Sequence, residues 1–397
     1  MKKNRLGRLL VSTLVLAGAV LSPFATLNSV NAQEELSGDP VVLGVNLELT
    51  GAAAPYSVPA VEAFELYVEQ KNAAGGVLDG RPLELLVLDN KTDTTEGVSL
   101  HTRLADDESV VAVLGPNASG VVNAAKPSIE SSGKPNVLPA STGDGLTLDS
   151  DGNAVVNLFR TAYEDSFQGR AGAVYVLDNL QAEKTLLVVD NALDYSLGLA
   201  DAFVEEYEAA GGTVVATESY VSGDTDFTSL ATAALAYEFD AIYMPGYYTE
   251  TGLLVKALRE MGVTQPIVGA DGYASDTFVE LAGEANANGV HYTTHYDVSS
   301  ENETSDEFVA AYTERYGKSP DTFAALGYDA IGFLVDGIER AGTTDAEAVN
   351  QALAETVDFD GVTGTFSINA EHNPVKPALM VTLENGVVVN AEEVVVE

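Results

Sequence analysis

The sequence has no cysteine and only four histidines among its 397 residues. The missing thiols exclude disulfides, thiolate metal sites and cysteine nucleophiles. They also exclude a lipid-modified N-terminal cysteine as a membrane tether. His101, His291, His295 and His372 have neither the spacing of a metal triad nor an H-E-x-x-H motif, so we expect no metal site.

Basic residues are also scarce. The chain has 19 Lys and Arg against 60 Asp and Glu, a formal net charge of −41. Nucleic acids and anionic membranes are excluded as partners, because affinity for both comes from basic side chains that neutralise phosphates. With 46% hydrophobic residues the chain is too apolar to be disordered, so the acidic excess must lie on the surface. Such a surface suits a saline habitat, where salt screens the repulsion, or simply serves solubility.

The first 32 residues have the features of an export signal. Four basic residues precede an apolar run at residues 9–21, and Val30-Asn31-Ala32 precedes a suitable signal peptidase site. The run has 13 residues, whereas a membrane span needs about 20. The sequence therefore predicts a cleaved signal peptide at residues 1–32 and a protein secreted across the inner membrane into a periplasm.

Apolar runs alternate with amphipathic stretches along the rest of the chain. Strands are predicted at residues 41–49, 83–89, 110–115, 135–139, 185–190, 213–219, 241–246, 266–270, 289–295, 364–368 and 378–389. Helices are predicted from Pro59 to Gly75 and at residues 196–210, 305–316 and 322–340. This alternation predicts α/β architecture with parallel sheets covered by helices. The pattern restarts near residue 185, which indicates two similar α/β units.

Catalytic motifs fail when they are read residue by residue. Gly317-Lys318-Ser319 resembles the end of a P-loop, but position 312 is tyrosine where that loop needs glycine. Residues 149–153 resemble a calcium loop, but Ala154 and Arg160 occupy the positions of its turn glycine and bidentate acid. No G-x-S-x-G elbow supplies a nucleophile. We therefore expect a protein that is not an enzyme and needs no cofactor.

Two loops that follow predicted strands could bind an anion. Residues 115–120, which include Ser119, lie between a strand and a helix, where N–H groups and a hydroxyl can face a negative charge. Ala140, Ser141 and Thr142 follow the next strand with the same chemistry. Together the loops could hold one carboxylate, although the hydroxyl residues could instead be simple N-caps.

Two tyrosines and an aspartate follow later strands. Tyr247 and Tyr248 come directly after the strand at 241–246, and Asp271 comes after the strand at 266–270. In open α/β sheets, ligands bind beyond the carboxyl ends of the strands. Aromatic rings and a carboxylate there suit a small ligand with an apolar part and a positive charge. The same residues are also common in ordinary exposed loops.

The segments G-Y-Y-T-E at 246–250 and G-A-D-G at 269–272, with the two loops, resemble the branched-chain amino-acid (Leu/Ile/Val)-binding proteins of ABC importers. The similarity extends over roughly residues 41–389. It implies the type I periplasmic-binding fold, in which two doubly wound α/β lobes are joined by three crossover strands. Such lobes close on a ligand by bending at the crossovers.

The resemblance also implies lobe boundaries. The residues alone divide the chain once, near Ala162. The resemblance instead implies a first lobe of residues 41–163 plus 295–374 and a second lobe of residues 164–294 plus 375–397.

The resemblance assigns roles to residues of the first lobe. Ser119 takes the position of the hydroxyl that binds the ligand carboxylate, and Ala140 that of a backbone N–H donor to it. Thr142 matches a threonine that contacts both the carboxylate and the ammonium. Tyr56 and Phe323 match aromatic residues that border the pocket for the ligand side chain.

Residues of the second lobe complete the implied site. Tyr195 and Tyr247 match tyrosines that close over the ligand, and Asp271 matches an acid, commonly glutamate, that pairs with the ammonium. Aspartate is one methylene shorter, so the ammonium must lie closer to this loop or be bridged by water. The chain also departs from the family at Asn117, where an apolar residue is common.

The resemblance implies a monomeric solute-binding protein that captures an aliphatic amino acid and delivers it to the membrane permease of an ABC importer. The alternative is the same fold with urea, a short amide or an aromatic acid as its ligand. A ligand without a positive charge would leave the Asp271 carboxylate unpaired in the closed cleft.

The predicted surface charge leads to a salt dependence. The signal peptide holds four basic residues and no acidic one, so the cleaved chain would carry 15 − 60 = −45 charges. We expect the melting temperature to rise markedly between low salt and about 1 M sodium chloride, where the Debye length is about 3 Å. Calorimetry over a chloride series measures this rise. A flat profile would show that local pairing already neutralises the acidic residues.

Overall fold

A computed structural model describes residues 36–298 and 303–396. The predicted signal peptide lies outside these residues. Within them, no helix is both long and apolar enough to cross a membrane. The strands are β1 (Val41–Leu47), β2 (Leu83–Asp89), β3 (Val110–Leu114), β4 (Asn136–Leu138), β5 (Leu158–Arg160), β6 (Lys184–Asp190), β7 (Thr213–Tyr220), β8 (Ala241–Tyr243), β9 (Ile267–Gly269), β10 (Val290–Thr294), β11 (Phe359–Gly361), β12 (Gly364–Ile368), β13 (Pro374–Val375), β14 (Ala378–Glu384) and β15 (Val387–Val394).

The α-helices are α1 (Ala54–Ala73), α2 (Thr94–Asp106), α3 (Ser119–Ser132), α4 (Asp165–Val174), α5 (Asp194–Ala209), α6 (Thr228–Ala234), α7 (Tyr248–Glu260), α8 (Asp276–Ala282), α9 (Glu303–Tyr316), α10 (Thr322–Ala341) and α11 (Ala346–Ala354). A π-helical turn, Tyr175–Asn179, follows α4, and a 3-10 turn, Asp271–Tyr273, follows β9.

The strands form two main sheets. The first has the order β2-β1-β3-β4-β5 and is parallel throughout. The second has the order β15-β14-β10-β9-β8-β6-β7, in which β14 and β15 are antiparallel to their neighbours and the other strands are parallel. The short strands β11, β12 and β13 form a third sheet. The chain passes between the main sheets after β5, after β10 and before β14, while the exact lobe boundaries stay a prediction.

Helices cover both faces of each main sheet, as the sequence predicted. In the first sheet, Val41 and Val45 pack with Phe64 of α1 and Phe333 of α10, whereas Val42 packs with the cluster around Leu104 of α2. A strand buried on both faces needs a nearly continuous apolar sequence, which explains why β1 was readable from the sequence.

The strands of the second sheet are also covered by helices on both faces. Leu186 and Val188 of β6 pack in the cluster that contains α7 and α8, whereas Leu187 packs with Phe203 of α5 on the opposite face. Phe203 also stacks on Tyr243 of β8 with ring centroids 3.8 Å apart. These alternating contacts fix the strand ends against rigid helices, and the loops after the strands are therefore held in place.

Two of the differences from the sequence prediction lie close to the carboxyl ends of the first sheet. Helix α1 begins at Ala54 rather than Pro59, because Pro55 occupies its first turn and the helix tolerates Pro59 in its interior. This earlier start brings Tyr56 into the helix. Strand β5 was not predicted, since it has three residues and one of them is Arg160, so it lacks the apolar run that marks the other strands.

A buried histidine on α2 gives a test of this packing. His101 is 1% exposed, and neither ring nitrogen has a hydrogen-bond partner among the described residues. Burial, together with the charge of Lys134, lowers the pKa of His101 from 6.5 to about 4. The folded protein therefore keeps this ring neutral in mildly acidic solution, whereas the unfolded chain protonates it.

We expect His101→Leu to raise the free energy of unfolding by about 1 kcal/mol near neutral pH, because two unpaired polar atoms leave the core. The advantage should grow by up to about 1.4 kcal/mol per pH unit between about pH 6.5 and 4, where unfolding of the parent takes up a proton on this ring. Urea unfolding of both proteins at a neutral and an acidic pH measures the difference. An equal difference at the two pH values would contradict the neutral buried ring.

Candidate functional site

Loops at the carboxyl ends of strands from both main sheets surround a cavity of about 310 Å³, its open mouth included. The cavity is lined by Tyr56, Asn117, Ser119, Ala140, Thr142, Tyr195, Tyr247, Asp271, Gly272 and Phe323. Of the candidate residues that the sequence analysis named, Ser141 and Tyr248 lie outside this lining. The position agrees with the rule that ligands bind beyond the carboxyl ends of parallel strands.

The N-terminus of α3 supplies a donor to one wall. Ser119 is the first residue of α3, and its hydroxyl oxygen accepts a hydrogen bond of 3.1 Å from the Gly143 N–H. The hydroxyl hydrogen is then available to an acceptor in the cavity. The first N–H groups of a helix have no intrahelical acceptor, so this end of α3 favours an anion.

The neighbouring loop after β4 is tied to the loop before α3. The Ser141 hydroxyl is fully buried and shares its hydrogen between the carbonyl oxygens of Pro116 and Asn117, which lie 2.8 and 2.7 Å away. A hydroxyl has one hydrogen, so this side chain joins the two loops instead of facing the cavity. The Ala140 N–H donates to Asn117 Oδ1 at 3.2 Å. The N–H that the resemblance implied as a donor to a ligand carboxylate thus donates to Asn117 in this structure.

Two charged residues that the sequence interpretation missed hold these loops. The Arg160 guanidinium is fully buried and donates to the Gly143 carbonyl oxygen at 2.8 Å, to Asn373 Oδ1 at 2.6 Å and to Glu164. It therefore fixes the segment on which Thr142 lies.

Glu48 holds the loop before α3 in the same way that Arg160 holds the loop after β4. Its carboxylate accepts hydrogen bonds from the N–H groups of Asn117 at 3.1 Å and Ala118 at 3.2 Å and from the Ser57 hydroxyl at 2.9 Å. Burial raises the pKa of Glu48, and these hydrogen bonds oppose that rise. The signal that could have found it is an acidic residue inside the apolar run at 41–49.

Aromatic rings form the apolar part of the cavity. Tyr56 lies in edge or tilted contact with Phe323 and Tyr247, with ring centroids 4.7 and 5.2 Å apart. Tyr195 contacts Tyr247 at 5.3 Å. These rings lie on helices and a loop that pack on both sheets, so together they can surround an aliphatic group.

The Tyr56 hydroxyl also joins the two sides of the cavity. It donates to the Gly272 carbonyl oxygen at 2.8 Å and accepts from the Tyr248 N–H at 3.2 Å. Helix α1 packs on the first sheet, whereas Tyr248 and Gly272 follow β8 and β9 of the second sheet. The loops of the two sheets are thus in direct contact around the cavity.

Asp271 supplies a carboxylate to the opposite wall. It is 3% exposed, and its Oδ1 accepts from the Tyr195 hydroxyl at 2.6 Å. Its Oδ2 lies 3.1 Å from His295 Nε2, and its N–H donates to Gln168 Oε1 at 3.3 Å. Burial lowers the pKa of His295 to about 4, so this ring is neutral near pH 7 and does not cancel the Asp271 charge.

A second buried acid lies behind this wall. Asp165 Oδ1 accepts from Gln168 Nε2 at 3.4 Å, and the Thr142 hydroxyl also bonds to the Asp165 carboxyl. Burial and the nearby charge of Asp271 raise the pKa of Asp165 well above its ordinary value. Among the described residues no cationic side chain is paired with Asp271, so the wall carries an uncompensated negative charge.

No group of three or more His, Asp or Glu side chains in the described ranges could hold a metal ion.

Comparison with known proteins identifies the family to which this architecture belongs. A family model described as a periplasmic binding protein matches residues 40–387. The Leu/Ile/Val-binding protein BraC3 of Rhizobium johnstonii is 31% identical over 333 residues, which are 83% of this chain and 88% of that protein.

Two solved structures have the same fold. The branched-chain amino acid transporter substrate binding protein LivJ of Streptococcus pneumoniae, in complex with isoleucine, matches with a TM-score of 0.84 and 38% identity, over 90% of this chain and 99% of that one. The leucine binding protein LivK of Thermotoga maritima matches with a TM-score of 0.83 and 34% identity, over 89% and 97%.

These matches confirm the fold class predicted from the sequence, the type I periplasmic-binding fold with two α/β lobes. They also confirm the resemblance to the Leu/Ile/Val-binding proteins, since the family model, the relative and the two structures agree. The chain belongs to the periplasmic binding protein family.

Proposed function

We propose that this protein captures a branched-chain α-amino acid as a zwitterion between two closing lobes and delivers it to the permease of an ABC importer. The proposal depends mainly on one observation: an acidic side chain and a hydrogen-bond donor at a helix N-terminus line the same cavity from its two sides. The carboxylate of Asp271 lies on the side of the second sheet, and the Ser119 hydroxyl at the N-terminus of α3 lies on the side of the first.

The charge of the ligand follows from these two groups. A buried carboxylate without a cationic partner is costly, and the ammonium of an amino acid compensates it. The carboxylate of the same ligand fits the N-terminus of α3, where Ser119 can donate its hydroxyl hydrogen and the helix dipole favours an anion.

The size and shape of the ligand follow from the aromatic rings. The cavity is enclosed by only ten residues from elements of both sheets, which suits a small ligand. Tyr56, Tyr247 and Phe323 offer ring faces and edges to an aliphatic side chain. The names of the relatives, which refer to leucine, isoleucine and valine, agree with this pocket.

Closure of the two lobes supplies the transport signal. A ligand shifts the open–closed equilibrium only through contacts that differ between the two states, and a ligand held by both Ser119 and Asp271 has such contacts. The permease then recognises the closed form. We propose that the protein acts outside the cytoplasmic membrane as a monomer and performs no chemistry on its ligand.

Uncharged and purely anionic ligands are the alternative. Urea, a short amide or an aromatic acid would bring no positive charge to Asp271, which would leave this buried carboxylate unpaired. The uncompensated charge therefore favours an amino acid over these ligands.

A thermal-shift screen tests the ligand class. Leucine, isoleucine or valine at about 100 times its dissociation constant should stabilise the fold by roughly 2.7 kcal/mol. Leucinamide and 3-methylbutylamine both lack the free carboxylate, so both should bind far more weakly. The assignment is wrong if urea or benzoate raises the melting temperature while all three aliphatic amino acids leave it unchanged.

Substitution of Asp271 tests the ammonium site. Asp271→Ala should weaken leucine binding by about 30-fold to several thousand-fold, because losing one partner of a buried charge pair costs about 2–5 kcal/mol. Asp271→Glu should keep most of the affinity, since it restores an acid. Titration calorimetry measures both variants.

Asp201→Ala is the matched control, because Asp201 is an exposed acid on α5 and its loss changes the net charge equally. We expect parent-like affinity for this control. Unchanged affinity in Asp271→Ala would rule out the proposed ammonium site.

A further inference from the structure

A histidine outside the cavity lining makes direct contact with the acid inside it. His295 is 3% exposed and follows β10 directly, and its Nε2 lies 3.1 Å from Asp271 Oδ2. The other carboxylate oxygen is held by the Tyr195 hydroxyl. Both oxygens of Asp271 therefore have a fixed donor, and the direction of their remaining lone pairs is set by these two residues.

The histidine ring itself is fixed from behind. It stacks on the Tyr163 ring with centroids 3.8 Å apart and planes inclined by 29°. The Tyr163 hydroxyl donates to the Thr294 carbonyl oxygen at 2.8 Å, so the stacking partner is anchored to the residue before His295. Tyr163 lies between β5 and α4, close to one passage of the chain between the sheets, and His295 lies at another.

The charge state of His295 decides what it can do for Asp271. Burial lowers its pKa to about 4, although the hydrogen bond and the charge of Asp271 oppose the shift. Arg160 and Lys376 also disfavour its protonation from a greater distance. Near pH 7 the ring is neutral, and an Nε2 that faces a carboxylate must carry the ring hydrogen. Nδ1 has no hydrogen-bond partner among the described residues.

A neutral donor differs from a cation at this position. Lysine or arginine beside Asp271 would hold the carboxylate but would also compete with the ligand ammonium. A neutral N–H orients the carboxylate and leaves its full charge to the ligand.

We propose that His295 is a positioning residue that orients the Asp271 carboxylate toward the ammonium of the ligand through its Nε2–H. The inference rests on the proposed amino-acid function, and it adds a residue that the resemblance did not assign. His295 acts through Asp271 and does not touch the ligand, since it is absent from the residues that line the cavity.

Two amide substitutions separate the hydrogen bond from general packing. The side-chain nitrogen of glutamine reaches the position of Nε2, whereas that of asparagine reaches only the position of Nδ1. We expect His295→Gln to bind leucine within about threefold of the parent and His295→Asn to lose about tenfold or more, as expected for a lost hydrogen bond to a charged group. Titration calorimetry near neutral pH measures both variants, and urea unfolding without ligand shows that each is folded.

A third variant removes the donor and keeps the ring. His295→Phe can still stack on Tyr163 but offers no N–H, so it should lose affinity to the same extent as His295→Asn. Equal losses in His295→Gln and His295→Asn would show that the shape of the ring matters and would overturn the proposal. Parent-like affinity in His295→Phe would overturn it as well.

The result also distinguishes this inference from the proposed function. If the parent protein and all variants bound no amino acid, the function itself would be wrong, and the inference would fall with it. If Asp271→Ala lost leucine binding while His295→Asn and His295→Phe kept it, the ammonium site would stand and the role of His295 would be wrong.

Discussion

A carboxylate that is taken out of water without a cation beside it costs several kcal/mol, even after the surrounding protein relaxes. Asp271 is in this position, because its side-chain partners among the described residues are a phenol hydroxyl and a neutral imidazole. The aromatic wall lowers the local dielectric constant and thereby strengthens the attraction for a positive charge. The rest of the cleft can then select among cations by shape and by what the N-terminus of α3 accepts.

The part of this site that could be predicted from the sequence is the part that follows directly from strand ends. Tyr247 and Asp271 each come after a readable apolar run, and a parallel sheet brings such positions to one edge. The sequence could not show which of two adjacent hydroxyl residues faces the cavity, and the structure turns Ser141 away to bond Pro116 and Asn117. Arg160 was missed because its strand has no apolar run and because one of its partners, Asn373, is 213 positions away in the sequence.

Two of the few basic residues, Arg259 and Arg160, hold loops together by donating hydrogen bonds to backbone carbonyl oxygens. Arg259 donates to carbonyl oxygens of Val263, Gln265, Asn286 and Asn288, and therefore closes several loops of the second sheet at once. Arg160 does the same beside the cavity. Other basic residues, such as Lys71 and Arg315, do pair with surface acids. The outer surface keeps most of its negative charge because the 60 acidic residues far outnumber the 19 basic ones.

The bridge made by Tyr56 has a consequence for how this protein could acquire new ligands. Its ring borders the cavity, while its hydroxyl oxygen bonds Gly272 and Tyr248 on the other side. A change of residue at this position would alter the lining of the pocket and would also remove the hydrogen bonds between its two sides. Phe323 packs against the same ring and has no side-chain hydrogen-bonding group. A substitution at Phe323 would therefore reshape the pocket without removing a hydrogen bond between its two sides.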